Sequence, residues 1–248
     1  MQIIGAGTVP DPLVLSTNDA ALEQNEGWLV QTSGPVIQVI NDYNFVVDDG
    51  SGPARVFIDG YNGSFAGVQV SDRLQVIGLA SEDGDGQRIR VRRPEDVSAY
   101  NTPPTLGAIV PPSGTSTAGL PLAFVTTWAD ADGWEDLKKC YFHIGGPSIV
   151  GSVTLLYNRA KDKLWLRSDD GTAWTGGFAP GSANVLENSQ AQVDCSLTFL
   201  HGSGDTLAVA WTITFKPAYV GTHKTYLKAI DMHGARAKAA KMGTWTLE

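Results

Sequence analysis

WLVQTSGPVIQVIN, residues Trp28–Asn41, is the stretch whose reading decides the fold. Glycine and proline punctuate the chain, and between them apolar residues alternate with period two rather than recurring at three and four, so this stretch reads as a strand. It is long, and Gly34 lies inside it. A glycine there makes the bend that lets one strand serve both sheets of a small barrel. Four more strand candidates follow, Phe45–Asp48, Ala54–Ile58, Arg73–Leu79 and Gln87–Arg92. The breakers between them are turn chemistry: Asn41-Asp42, Asp49-Gly50-Ser51-Gly52-Pro53, Asp59-Gly60-Tyr61-Asn62-Gly63 and Asp83-Gly84-Asp85-Gly86. Five strands with a long bent first one predict an OB-type five-stranded barrel over residues 20–98.

The same residues carry a resemblance. Glu26-Gly27-Trp28-Leu29-Val30, Gly34-x-Val36, Phe45-Val46-Val47-Asp48-Asp49-Gly50-Ser51-Gly52 and Val70-x-Asp72-x-Leu74-x-Val76-x-Gly78 together resemble the OB-fold modules of bacterial secreted nucleases and cell-surface proteins. The resemblance implies the barrel and an extracellular setting, and it brings no ligand motif with it.

Beyond the barrel, residues 99–119 contain Pro103-Pro104, Pro111-Pro112 and Ser113-Gly114-Thr115-Ser116-Thr117, the composition of a linker. Residues 120–248 offer a second set of strands at Leu122–Trp128, Lys138–Ile144, Val153–Tyr157, Lys163–Arg167, Gln192–Leu200, Leu207–Phe215, Thr225–Asp231 and Lys241–Leu247. That number of strands in one domain predicts a two-sheet sandwich, making the chain all-β throughout. The opening Pro-Pro, the Ala129-Asp130-Ala131-Asp132-Gly133 turn before Asp136-Leu137, and the closing Ala229-Ile230-Asp231-x-x-Gly234 resemble bacterial immunoglobulin-like surface modules. No segment reads as a helix.

Residues 1–19 read as an extended N-terminal arm, because Pro10 and Pro12 hold their own φ and push the residues before them out of the helical region. The arm carries apolar pieces at Ile3-Ile4 and Leu13–Leu15 outside the five barrel strands. Such an arm satisfies its backbone by adding as a strand to a sheet edge, which belongs either to its own chain or to a neighbour. A head-to-tail contact of the second kind builds a homopolymer, a ring or a filament.

Charge narrows the partners. The net charge is −8, and residues 1–100 hold fourteen acids against six arginines and no lysine. Phosphate backbones are gripped by lysine and arginine, so nucleic acid is a poor partner for the barrel. No apolar run approaches the roughly 20 residues that span a bilayer, so no membrane insertion is expected. Arg88, Arg90 and Arg92 alternate with Ile89 and Val91, which places three guanidinium groups on one strand face as a possible anion grip or as partners for the surplus carboxylates.

Cys140 and Cys195 fall on predicted strands with inward parity, Cys140 beside Phe142 and Ile144, Cys195 beside Val193, Leu197 and Phe199. A cross-sheet disulfide between them is one reading and two buried free thiols the other. Asp130, Asp132, Glu135 and Asp136 crowd one turn and invite calcium, although the EF-hand spacing is absent; the alternative is a solvated Asx turn. Apart from this calcium reading, no cofactor is implied. His201-Gly202-Ser203-Gly204-Asp205 holds the residue types of a hydrolase triad but reads as a hairpin turn, since contiguous residues in a glycine loop cannot face one another. His143, His223 and His233 lack zinc-ligand spacing. Six of the seven tryptophans lie in the sandwich, most of them expected in its core, with Trp134 and Trp174 beside turns and candidates for an exposed ligand face.

The expectation is a non-enzymatic, secreted or cell-surface structural or adhesive protein, with itself or other surface components as partners. The competing reading is a polysaccharide- or nucleic-acid-binding accessory region of a larger secreted hydrolase.

Overall fold

A computed structural model describes residues 10–248, which divide into two units between Asn101 and Thr102. In the first unit the elements run β1 (Leu13–Val14), α1 (Thr17–Ala20), β2 (Leu29–Asn41), β3 (Asn44–Val47), β4 (Ala54–Ile58), β5 (Arg73–Asp83), β6 (Gly86–Val91) and β7 (Val97–Ala99). The order β2-β3-β4-β6-β5 closes on itself through β2–β5 pairing, with β4 and β6 parallel, so the five expected strands form an OB-type barrel. One half of β2, Leu29–Pro35, pairs with β5, and the other, from Val36, pairs with β3. Gly34 lies at the changeover, where a Cβ would come within 2.9 Å of the Asp48 backbone, so the close approach requires a residue without a side chain. Val30, Phe45, Val47, Val56, Ile58, Val76, Ile89 and Val91 fill the interior with no exposed surface.

Part of the arm is structured differently from the extended reading. Ser16 caps a single helical turn, α1, by accepting from the Asp19 N–H at 3.1 Å. A further 3-10 turn spans Glu23–Asn25. Leu13–Val14 adds in parallel to β2 of its own barrel, the intrachain partner of the two that the sequence allowed. That pairing satisfies backbone groups but leaves both side chains exposed, while Leu15 packs against the barrel core. Ile3-Ile4 lies outside the described residues.

The second unit comprises β8 (Thr105–Val110), β9 (Ser113–Ser116), β10 (Pro121–Ala129), β11 (Leu137–Gly145), β12 (Val153–Asn158), β13 (Lys163–Arg167), β14 (Trp174–Phe178), β15 (Val185–Glu187), β16 (Ala191–Asp194), β17 (Phe199–Ser203), β18 (Thr206–Phe215), β19 (Gly221–Asp231) and β20 (Arg236–Leu247). One sheet has the order β15-β16-β18-β10-β8, with β17 also on β18, and the other the order β14-β13-β12-β11-β19-β20-β9. Their inner faces enclose one core. Phe124 stands edge-on to Phe142 at 5.4 Å and to Trp245 at 5.0 Å, and Trp128, Trp211, Ile144, Leu155 and Leu164 are wholly buried around them.

Two expectations are corrected here. The stretch 99–119, read as a linker from its prolines, carries β8 and β9. Its prolines fall between strands: β8 is antiparallel to β10, β9 is parallel to β20, and Ile109 is buried. The single strand expected at Gln192–Leu200 is broken by a 3-10 turn at Cys195–Leu197. Parity is lost at that turn, so Cys195 is buried while Leu197 and Phe199 are exposed. Cys140 and Cys195 are buried free thiols, the second of the two readings that the sequence left open. His201–Asp205 forms a β17–β18 hairpin, with Ser203 opposite Thr206.

Candidate functional site

Alternation along β11 settles one face of the larger sheet. Cys140, Phe142 and Ile144 point into the core, which turns Tyr141 and His143 outward. Cross-strand register then sets Lys228 opposite Tyr141 and Tyr226 opposite His143 on β19, Thr154 opposite His143 on β12, and Trp174 of β14 opposite Arg167 of β13. These side chains and the Gly146–Ile149 loop line an open cleft of about 430 Å³.

The cleft walls are aromatic. Tyr141 and Trp174 stand 6.1 Å apart between ring centres, and His143 and Tyr226 5.5 Å apart. The Arg167 guanidinium lies 4.5 Å over the Trp174 ring and the Lys228 ammonium 5.1 Å over Tyr141. Neither cation is paired with a carboxylate among the described residues, and no acidic side chain lines the cleft. His143 is fixed at both ring nitrogens: Nε2 donates to the Gly146 carbonyl at 2.8 Å, which makes Nδ1 the acceptor from the Thr154 hydroxyl at 2.7 Å. Burial lowers its pKa, with the Gly146 contact opposing, and keeps the ring neutral. Burial raises the Tyr141 phenol, against the nearby Arg167 and Arg236 charges.

A second constellation lies between the β10–β11 connection and the β19–β20 turn of the same unit. Carboxylate oxygens of Asp130, Asp132 and Asp136 lie within 4.8 Å of one another, and a second group within the same limit joins Asp136 to Asp231 and His233. Asp130 and Asp231 are buried. Asp130 Oδ1 accepts from the Asp132 N–H at 3.0 Å, while its buried Oδ2 has no hydrogen-bond partner. Burial, reinforced by the neighbouring carboxylates of Asp136, Asp132 and Asp231, pushes the Asp130 carboxyl up to about 6. Asp136 is raised by burial too, against its contact with His233 at 3.2 Å.

The remaining sequence candidates separate. Glu135 is exposed and outside both acidic groups. Trp174 joins the cleft, but Trp134 does not: it packs against Gly202, where a Cβ would stand 2.3 Å from its ring, and against the sandwich core. Arg88 and Arg90 lie on the outer face of β6 beside buried Ile89 and Val91, and Arg92 follows directly after it, yet each meets a carboxylate: Asp83 at 2.5 Å, Asp59 at 3.7 Å and Asp96 at 3.0 Å. Arg88 also covers the Phe57 ring. They therefore do not form an open anion grip. Sequence reasoning missed Tyr141, His143, Arg167, Tyr226 and Lys228; the outward parity of β11 was the signal that could have found the first two.

No protein-family model matches the chain, and no curated protein matches it. Among solved structures it is similar to the hypothetical protein YgiW from E. coli, with TM-score 0.29 and 24% identity over 39% of this chain and 99% of that one. It is similar also to murine CRIg, with TM-score 0.29 and 12% identity over 58% of this chain and 98% of that one. A third is BcpA, the major pilin subunit of Bacillus cereus, with TM-score 0.26 and 6% identity over 88% of this chain and 69% of that one. Similarities this low carry no argument about the site. No helix among the described residues is long and apolar enough to cross a membrane.

Proposed function

We propose that this chain is a non-enzymatic, secreted or cell-surface β protein whose second unit holds an acidic polysaccharide in the cleft of its larger sheet. The observation that carries the reading is the combination of aromatic walls with two unpaired cations and no carboxylate. A sugar ring offers an apolar face that stacks on Trp174, Tyr141 and Tyr226, and hydroxyls that take up polar groups at the rim. Arg167 and Lys228 supply the counter-charge for a carboxylate or sulfate, and the guanidinium takes either one through two parallel hydrogen bonds. The paired arginines Arg88, Arg90 and Arg92 and the acidic excess of the first hundred residues argue against nucleic acid as the ligand.

Pull-down and calorimetric titration against uronate-containing, sulfated and neutral polysaccharides test the reading. Binding to an acidic polysaccharide is expected, about tenfold or more weaker in Trp174→Ala and Tyr226→Ala. Arg167→Gln with Lys228→Gln should flatten its salt dependence. Absence of binding to every polysaccharide, or binding that Trp174→Ala leaves intact, overturns it.

A further inference from the structure

We propose that Asp130, Asp132 and Asp136 bind a calcium ion in the β10–β11 connection, beside Asp231 at the end of β19. This is a site separate from the cleft and does not depend on it. Calcium takes six to eight oxygen ligands at about 2.3–2.6 Å, so oxygens across the ion from one another stand about 5 Å apart. The carboxylate oxygens of Asp130, Asp132 and Asp136 meet that limit together; Asp231 and His233 form a second group that shares only Asp136 with the first.

Crowded acids alone would not make a site, because solvated carboxylates commonly gather at turns. The independent observation is Asp130 Oδ2, an oxygen on a residue 1% exposed, with neither water access nor a hydrogen-bond donor. A buried carboxylate oxygen left without a partner is costly, and a cation among its neighbours removes that cost. The surroundings are arranged as supports for ligands. The Thr102 N–H holds the Asp132 carboxylate at 2.6 Å, and the Met232 N–H bonds the Asp136 carbonyl at 2.7 Å. Such hydrogen bonds orient ligands as an outer shell does in metal sites. Three carboxylates, with neither thiol nor imidazole in their group, favour a hard cation over zinc, and the variable separations of a loop-built site suit calcium better than the strict octahedron of magnesium.

The full chain, stripped of divalent metal by chelator, provides the test. Six of its seven tryptophans lie in the second unit, so their fluorescence reports that unit's unfolding. Calcium at a hundredfold excess over its Kd should raise the midpoint by roughly 5–10 °C. Terbium luminescence on the unmodified chain should titrate one site, and calcium should displace it. In Asp130→Asn the mutual repulsion is relieved, so the metal-free variant should melt no lower than the metal-free parent, and the calcium response should disappear. Should Asp130→Asn not fold, the terbium titration of the unmodified chain decides alone. A midpoint indifferent to calcium, no saturable terbium site, a response to magnesium or zinc but not calcium, or an undiminished response in Asp130→Asn each overturns the proposal.

Discussion

Trp211 is wholly buried, and its indole N–H donates to the Thr126 hydroxyl at 2.8 Å, joining adjacent strands inside the sandwich. The Thr126 hydroxyl in turn donates to the Val209 carbonyl at 3.3 Å, so it serves as both acceptor and donor in a place without water. Thr126→Val keeps the shape and the β preference but strands the indole N–H. A buried donor without an acceptor costs about 1–3 kcal/mol, so Thr126→Val should lose that much in urea unfolding and Thr126→Ser distinctly less. Pairing Thr126→Val with Trp211→Phe separates the hydrogen bond from general packing, because the double variant should lose less than the two single losses together. Additive losses would assign the whole effect to altered packing at each site rather than to the hydrogen bond.

At the scale of elements, α1 has one turn and little stability of its own, and it is held by the turn between β3 and β4. Asp49 accepts from the Thr17 N–H at 3.2 Å and the Thr17 hydroxyl at 2.8 Å, as well as from the Ser51 N–H at 3.0 Å. Burial pushes the Asp49 carboxyl up, but the Ser51 and Thr17 hydrogen bonds outweigh it and bring the pKa to about 2. A depressed native pKa means that the unfolded chain binds more protons in acid, so this contribution is complete above pH 3.8 and disappears as pH falls through 2. Asp49→Ala should cost about 1 kcal/mol at neutral pH, and the gap from the parent should close between pH 4 and 2 in denaturant melts. A gap that stays constant would remove Asp49 ionisation from the stability of this element. The same element marks the limit of sequence reading, since Ser16-Thr17-Asn18-Asp19 forms its turn by capping and a distant acceptor rather than by apolar periodicity. The barrel strands were legible because Val, Ile and Phe alternate between Gly and Asp turns. β14 was not, since Gly176 and Gly177 adopt left-handed φ of 118° and 87° and tuck under Leu186 and Trp165, breaking the apolar alternation. Without β14 the partnership of Trp174 with Arg167 is invisible, and the cleft, drawn from several strands, could not be assembled from the sequence. The acidic turn was legible locally, whereas Asp231 reaches it only through the pairing of β19 with β11.

At the scale of the whole molecule the placement of the division decides what can fold alone. The structure puts it between Asn101 and Thr102, whereas the proline-rich composition put the start of the sandwich at residue 120. The difference is the stretch holding β8 and β9. Trp245 is 5% exposed and sits directly on Gly114 of β9, where a Cβ would stand 2.6 Å from its ring, and its indole N–H donates to the Ser116 hydroxyl at 2.9 Å. Ile109 of β8 is 2% exposed, and the Ala118 N–H bonds the Glu248 carbonyl at 2.8 Å. A fragment of residues 102–248 keeps all of these contacts and should unfold cooperatively. A fragment of residues 120–248 uncovers Trp245, loses the Ile109 side chain, and leaves β10 and β20 as bare sheet edges. Lost burial of Ile109 and Trp245 alone is worth more than about 3 kcal/mol, a large share of the 5–15 kcal/mol that stabilises a typical domain. The shorter fragment should therefore aggregate or melt at least 10 °C below the longer one, and limited proteolysis of the full chain should cut at residues 100–104 before cutting within 105–119. Equal melting of the two fragments, or first cleavage between Thr105 and Ser116, would show that the prolines mark a true linker and that β8 and β9 contribute nothing to the sandwich.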